Sequence, residues 1–226
     1  MSVSVRKGNE LPNDAIVLSE FDASTQVWEM IDDWDNSSET WALHHAANIL
    51  GAVSAVSGII INQHYRTRLR LGRFGHFSSV LPVIVLPGSL TMIFHKHSIT
   101  TSMLLQKAQG CPICYELRSG AIQLGFGVLY PLFLAPMSAF MFANRYATYR
   151  IPSIAREPKD LLKLAIKLSK PLVGTLGYIV SINLILSSIF TYFELQNTDS
   201  IIRHVREIER KIDSGLDMEI YIGGHR

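Results

Sequence analysis

The chain has 226 residues, with 21 Lys or Arg against 19 Asp or Glu, and 48% of its residues are hydrophobic. A net charge of +2 provides no basic face for nucleic acid, and two cysteines are too few for a disulfide framework. The hydrophobic fraction alone would suit a water-soluble domain, but its collection into long uncharged runs does not.

Residues 1–40 carry two basic against nine acidic side chains, with Gly8, Pro12 and Asn13 as breakers, and are expected to form an acidic, largely disordered tail. This start has neither the apolar core of a secretory signal nor the Arg-rich character of a cleavable presequence, so targeting information is expected to be internal. Val27 to Asp35 reads as a partner-binding motif or as a short interfacial helix anchored by Trp28 and Trp34.

Trp41 to Ile61 is the first membrane span. Ala47, Gly51 and Ala55 recur every fourth residue, as do Ser54 and Gly58. Such stripes let helices approach closely in lipid, and the face is expected to contact another protein. His44 and His45 are adjacent, so on a helix they point about 100° apart; they read as headgroup-level residues rather than metal ligands. Arg66, Arg68, Arg70 and Arg73 follow with no acid among them. Phe77 to Phe94 is a second span, short and interrupted by Pro82, Pro87 and Gly88. A polar loop from His95 to Arg118 comes next, with a short surface helix at Ser98 to Gln106.

Gly120 to Ala143 is the third span; its 24 residues contain no Asp, Glu, Lys or Arg. As a helix it reaches ~36 Å, enough to cross a bilayer core of ~30 Å. Gly125, Pro131 and Pro136 punctuate it, which membrane helices tolerate. Lys159, Lys163, Lys167 and Lys170 then recur along one side of a segment whose other side carries Leu161, Leu164, Ala165 and Leu168. That is a basic amphipathic surface helix. Pro171 to Phe193 is the fourth span, with Gly174, Gly177 and Ser181 offering close packing. Beyond it, Ile201, Val205, Ile208 and Ile212 mark a short polar helix that docks on a partner or lies on the bilayer, with Glu207 and Lys211 as an i,i+4 pair.

The reading is an all-α membrane protein: a tail at 1–40, a four-helix transmembrane domain at 41–193 with kinked second and third spans, and a C-terminal tail at 194–226. Four spans place the two basic loops on one side, and both acidic tails with the cysteine loop on the other. The positive-inside rule puts the basic side in the cytoplasm or the mitochondrial matrix.

Chemistry is sparse. No Ser/His/Asp set or Gly-rich phosphate loop is present, no Asp, Glu, Lys or Arg lies within the four spans so bounded, and neither a cofactor nor a metal is expected. Cys111-Pro112-Ile113-Cys114 is compatible with a structural disulfide, half of a zinc site with His95 and His97, or a redox dithiol. Interrupted helices keep a small-solute carrier in view.

The string Cys111-x-x-Cys114, Arg118-Ser119-Gly120, Leu129-Tyr130-Pro131, Phe133-Leu134-Ala135, Arg145-Tyr146 and Ser169-Lys170-Pro171 resembles the transmembrane protein 126 family. Pro136 lies one position early for the family pattern, and neither tail aligns. The resemblance implies a four-span protein of the mitochondrial inner membrane. It also implies a non-catalytic role in assembling the membrane arm of respiratory complex I, with membrane-arm subunits and other assembly factors as partners. Anionic inner-membrane lipid, such as cardiolipin, is the expected partner of the basic segments.

The charge pattern generates a topology test. Protease treatment of mitoplasts is expected to remove a tag placed after Arg226 and to spare one inserted after Arg73; the reverse pattern overturns the orientation.

Overall fold

The computed structural model describes residues 19–34, 36–105, 111–149, 151 and 158–223. Among them every regular element is helical. We number the helices α1 (Glu20–Asp32), α2 (Ser37–Arg68), α3 (His76–Leu104), α4 (Pro112–Arg145), α5 (Pro158–Ser169) and α6 (Val173–Gly223). A tight turn, Lys170–Leu172, carries α5 into α6.

Four helices are long and apolar enough to cross a membrane: α2, α3, α4 and the stretch Lys159–Ile208. The distribution of side chains agrees with a lipid surrounding. Val56, Ile59, Leu81, Val85, Ile93, Phe133, Met137, Ile182 and Ile185 face outward, while Ser54, Ser57, Thr91, Ser119, Gln123, Asn183 and Ser187 are buried. Polar atoms that lipid cannot satisfy turn inward, and apolar ones meet the solvent that suits them.

Helix α2 packs against α3, α4 and α6. Its small residues permit the approach to α3. A Cβ on Gly51 would lie 2.8 Å from the Gly88 carbonyl oxygen, and one on Gly58 would lie 2.5 Å from that of Val83. Val83 is four residues before Pro87, which has no N–H to donate to that carbonyl. The stripe is therefore a contact inside this chain rather than a face left for a partner. Ala47 is buried beside it, and Ala55 lies against Gly88.

The irregularity expected around the prolines takes the form of widened, π-helical turns at Leu81–Val85 and Gly125–Leu129. A ring clashes with the carbonyl four residues back, and an extra residue in the turn moves that carbonyl aside. A third wide turn at Lys96–Thr100 carries no proline.

Every membrane helix runs beyond the span read in the sequence: α2 covers Ser37–Arg68 and α4 begins at Pro112. The second span continues through His95 to Leu104, replacing the expected loop and surface helix, and the fourth continues past Phe193 without a break to Gly223. A polar residue ended each of these two predicted spans, but both residues are buried and partnered. The N-terminal tail differs too: α1 is helical from Glu20 and packs onto the bundle. Val27 and Ile31 are buried with Leu43, Leu105 and Ile201. The expectation for residues 1–18 lies outside the described residues.

At the end of the bundle where α2 finishes, Arg66 is 2% exposed and is not a lipid-headgroup residue. Its guanidinium donates to the carbonyls of Gly72 (2.8 Å) and Phe74 (2.9 Å) and to the Ser79 hydroxyl (3.1 Å). A fork of five donors suits a turn with several unmet carbonyls. Arg68, Arg70 and Arg73 are exposed there. The Leu161, Leu164, Ala165 and Leu168 face of α5 lies on the main apolar core, which leaves Lys159, Lys163, Lys167 and Lys170 exposed. Tyr65 Oη meets Ser169 Oγ at 2.7 Å, and His64 Nε2 lies 3.0 Å from the Leu168 carbonyl.

Gly125, Gly174 and Gly177 pack on no other helix, since a Cβ at any of them meets no atom within 4 Å. Gly174 and Gly177 sit on the outer side of α6, away from α2 and α4. Val205 packs with α1, Ile208 is exposed, and Glu207 pairs with Lys211 at 3.2 Å. The side chain of Ile212 lies outside the described residues.

Replacing Gly58 with Leu is expected to lower the thermal midpoint of the purified protein in detergent by the equivalent of about 1–3 kcal/mol, the usual cost of overpacking. An unchanged midpoint would show that the α2–α3 approach is not a fixed feature.

Candidate functional site

The buried polar side chains form a seam along the inside of the bundle. On α6 they fall at Asn183, Ser187, Thr191, Glu194 and Thr198, spaced by three or four residues and therefore on one face. Each meets a different neighbour according to its depth.

Near the middle, Gln123 Nε2 donates to Asn183 Oδ1 (2.9 Å) and to the Leu50 carbonyl (3.2 Å). Asn183 Nδ2 donates to Ser57 Oγ at 2.9 Å. Thr91 Oγ1 donates to Ser54 Oγ at 3.0 Å. Gly127 leaves room for this crossing: a Cβ there would lie 2.8 Å from Ser54 Oγ and 3.0 Å from Asn183 Oδ1. Bonds of this kind tie α2, α3, α4 and α6 together where hydrophobicity cannot.

Toward the end that carries the cysteines, the seam becomes ionisable. His95 Nε2 lies 2.8 Å from Glu194 Oε2, and the two side chains are 1% and 0% exposed. Thr100 Oγ1 donates to Glu194 Oε1 at 2.8 Å. On the other side of the ring, His95 Nδ1 lies 3.3 Å from Ser119 Oγ, which is 2.7 Å from Ser187 Oγ. The wide turn at Lys96–Thr100 begins one residue after His95, so the ring and the Thr100 hydroxyl reach the same carboxylate. Ionisable groups buried within membrane helices are costly and mark functional sites.

The cysteines stand apart from this pair. Cys111 and Cys114 form a disulfide at the start of α4, with Pro112 in the first turn. His95, the ligand a zinc reading requires, is occupied by Glu194, and His97 is exposed. Among the described residues no group of three or more His, Cys, Asp or Glu is placed to hold a metal. His44 and His45 do not converge either; His44 lies 3.6 Å from Asp32 and packs edge-on against Trp28. Trp28 and Trp34 anchor to protein rather than to an interface. Trp28 Nε1 donates to Thr101 and lies under the Lys96 ammonium, while Trp34 packs on His204.

The motif residues lie partly at helix ends and partly inside α4. Arg118 Nη1 donates to the Ser98 carbonyl at 3.2 Å. Tyr130 and Pro131 follow the wide turn of α4. Arg145 ends α4, and Tyr146 stacks on Phe74 with centroids 4.9 Å apart. Lys170 and Pro171 form the turn into α6. A family model described as "Transmembrane protein 126" matches residues 25–211, which takes in most of α1, every membrane span and, against the expectation that neither tail aligns, part of both tails.

The chain belongs to the transmembrane protein 126 family.

A Drosophila melanogaster protein named "Transmembrane protein 126" is 39% identical over 213 residues, 94% of this chain and 96% of that protein. No solved structure matches. In this member of the transmembrane protein 126 family, the strings that carry the resemblance lie at helix ends and within α4, and the His95–Glu194 pair lies outside them, although Ser119 of one string meets His95. Sequence reasoning passed over the pair because each residue sits one position past a span boundary. A signal was present nonetheless. Spans two and four end on the same side, so His95 and Glu194 share a depth, and the polar stripe from Asn183 to Thr198 has helical spacing.

Replacing Glu194 with Ala strands a buried imidazole and is expected to destabilise the protein by about 3–5 kcal/mol. The His95→Ala, Glu194→Ala double variant is expected to lose less than the two singles combined. Additive losses in thermal unfolding would show that the two side chains do not interact.

Proposed function

We propose that the protein is a non-catalytic assembly factor that scaffolds the membrane arm of mitochondrial respiratory complex I, NADH:ubiquinone oxidoreductase, as a multi-pass protein of the inner membrane. Family membership supports a membrane role of this kind. The observation that carries the reading is the outer face of α6. Gly174 and Gly177 have open space in front of them, and Ser181 and Ile185 continue the same exposed surface. A small-residue face lets a second membrane helix approach to backbone contact, as covering an unassembled subunit requires. The partners are then membrane-arm subunits and other assembly factors. Arg68, Arg70, Arg73, Lys159, Lys163, Lys167 and Lys170 lie exposed at one end and suit anionic lipid such as cardiolipin, at about 1 kcal/mol per well-placed charge.

One observation favours a second reading, a small-solute carrier of the same membrane. Carriers hold substrate or coupling ions on ionisable residues within their helices, and His95 and Glu194 are such residues.

Complexome profiling separates the two. The assembly reading expects comigration with membrane-arm intermediates, and expects the Gly174→Leu, Gly177→Leu variant to insert normally but lose that comigration. A wild-type protein that migrates as a lone low-mass species would overturn the assembly reading and leave the carrier.

A further inference from the structure

We propose that the Cys111–Cys114 disulfide is a thiol–disulfide exchange site that takes a protein dithiol as its substrate, with Cys114 as the sulfur attacked and Cys111 as the sulfur released. Such a site serves under either functional reading, since one exchange per molecule needs no turnover.

A disulfide stabilises a fold chiefly by tying together parts of the chain that would otherwise separate, and the effect shrinks with the loop it closes. Here the two cysteines are only 3 apart in sequence. Cys111 caps α4 and Cys114 lies in its first turn, where the Cys114 N–H already donates to the Cys111 carbonyl at 3.1 Å. Pro112 presets the same turn for a helix without any cross-link. The bridge joins no second helix, so as a staple it has little to hold.

Its position favours exchange instead. Exchange requires access to one sulfur and a stable thiolate on the other. Cys114 is exposed, as are Pro112 and Ile113 before it. Cys111 is half-buried, and its side chain makes no capping bond in the oxidised state. The first N–H groups of a helix lack partners inside it, and the positive end of its dipole lies there. A thiolate released at Cys111 meets both, which makes it the better leaving group. Glu116 and Arg118 fall in the next turn, so the bridge stands outside the uncharged run that begins at Gly120.

The surface beside Cys114 selects a polypeptide over a small thiol. Ile113 and Leu117 are each 75% exposed and lie four residues apart on one side of α4, with Leu117 also three residues from Cys114. Two apolar side chains flanking the accessible sulfur give an extended chain something to pack on.

In the exchange, one client thiolate attacks Cys114 Sγ, the S–S bond breaks, and its electron pair leaves on Cys111 Sγ. The client's second thiolate then attacks the client sulfur of the mixed disulfide and releases Cys114 Sγ. Two electrons and two protons pass from the client, which is left with a disulfide, to Cys111 and Cys114, which become thiols. The same steps in reverse restore the bridge.

The test uses the full-length oxidised protein in lipid nanodiscs. It is mixed with a synthetic peptide carrying two cysteines among apolar residues, with the same peptide in which those residues are serine, or with reduced glutathione. Samples are quenched with acid and mapped by mass spectrometry. The apolar peptide is expected to emerge as its disulfide and the protein as the dithiol, with the early mixed disulfide on Cys114. The serine peptide is expected to react about tenfold more slowly, and Leu117→Ser to narrow that gap. Reduction is expected to leave the helix content unchanged by circular dichroism. A bridge that stays oxidised in the folded protein while the urea-unfolded chain is reduced would overturn the proposal. So would a mixed disulfide found on Cys111, or a loss of helix on reduction, which would make the bridge a staple. Equal rates for the two peptides, with glutathione reacting as readily, would overturn the protein dithiol in favour of a small thiol.

Discussion

The closeness of α2 to α3 is the constraint on which the rest of the bundle depends. At Gly51 and Gly58 the two backbones touch through carbonyl oxygens where any side chain would collide. Lipid supplies no hydrophobic drive for helices to associate, so contact area and polar pairing must hold them. Close approach provides both. It brings Ser54 of α2 within reach of Thr91 of α3, and the α4 and α6 side chains then complete a seam that spans all four helices. The proline before Gly88 contributes as well, because the carbonyl it cannot serve lies against Gly58.

The chain has two kinds of interior. One is apolar: its largest part, formed by Tyr65, Leu69, Leu71, Phe140 and Phe142 with the inner face of α5, occupies the basic end, and smaller clusters around Val27 and Ile31 and around Ile99, Met103 and Tyr115 lie at the other. The other is the seam, polar in the middle and ionisable toward the disulfide. Among the described residues, each Lys or Arg at the first end is either exposed or, as with Arg66, used to close a turn. The asymmetry of charge along the bundle is therefore matched by an asymmetry inside it.

Much of the architecture was legible because membrane spans are written in composition. Four uncharged runs gave the number of membrane spans, and their succession gave which ends lie together. The amphipathic spacing of Lys159 to Lys170 gave α5 and its inner face. The site was less legible for one physical reason: a residue's charge was taken as its environment. His95 and Glu194 look like the polar edges of spans, yet each is the other's buried hydrogen-bond partner, and the helices run on through them. Arg66 misled in the same way, since a guanidinium among exposed arginines gives no sign in sequence that it turns inward. The small-residue stripes were readable as close contacts, but whether another helix of this chain already fills them is a question of topology. Gly51 and Gly58 are filled; Gly174 and Gly177 are open.

The unbroken length of α6 has a mechanical consequence. Its 51 residues form a rod of ~76 Å, against a bilayer core of ~30 Å. Much of the rod therefore stands outside the lipid as a lever, stayed by α1 where Val27 and Ile31 grip Ile201. The His95–Glu194 contact lies close to that stay, near the pivot. The angle at which the protruding arm leaves the bundle is therefore set by the packing around Ile201 rather than along the arm itself.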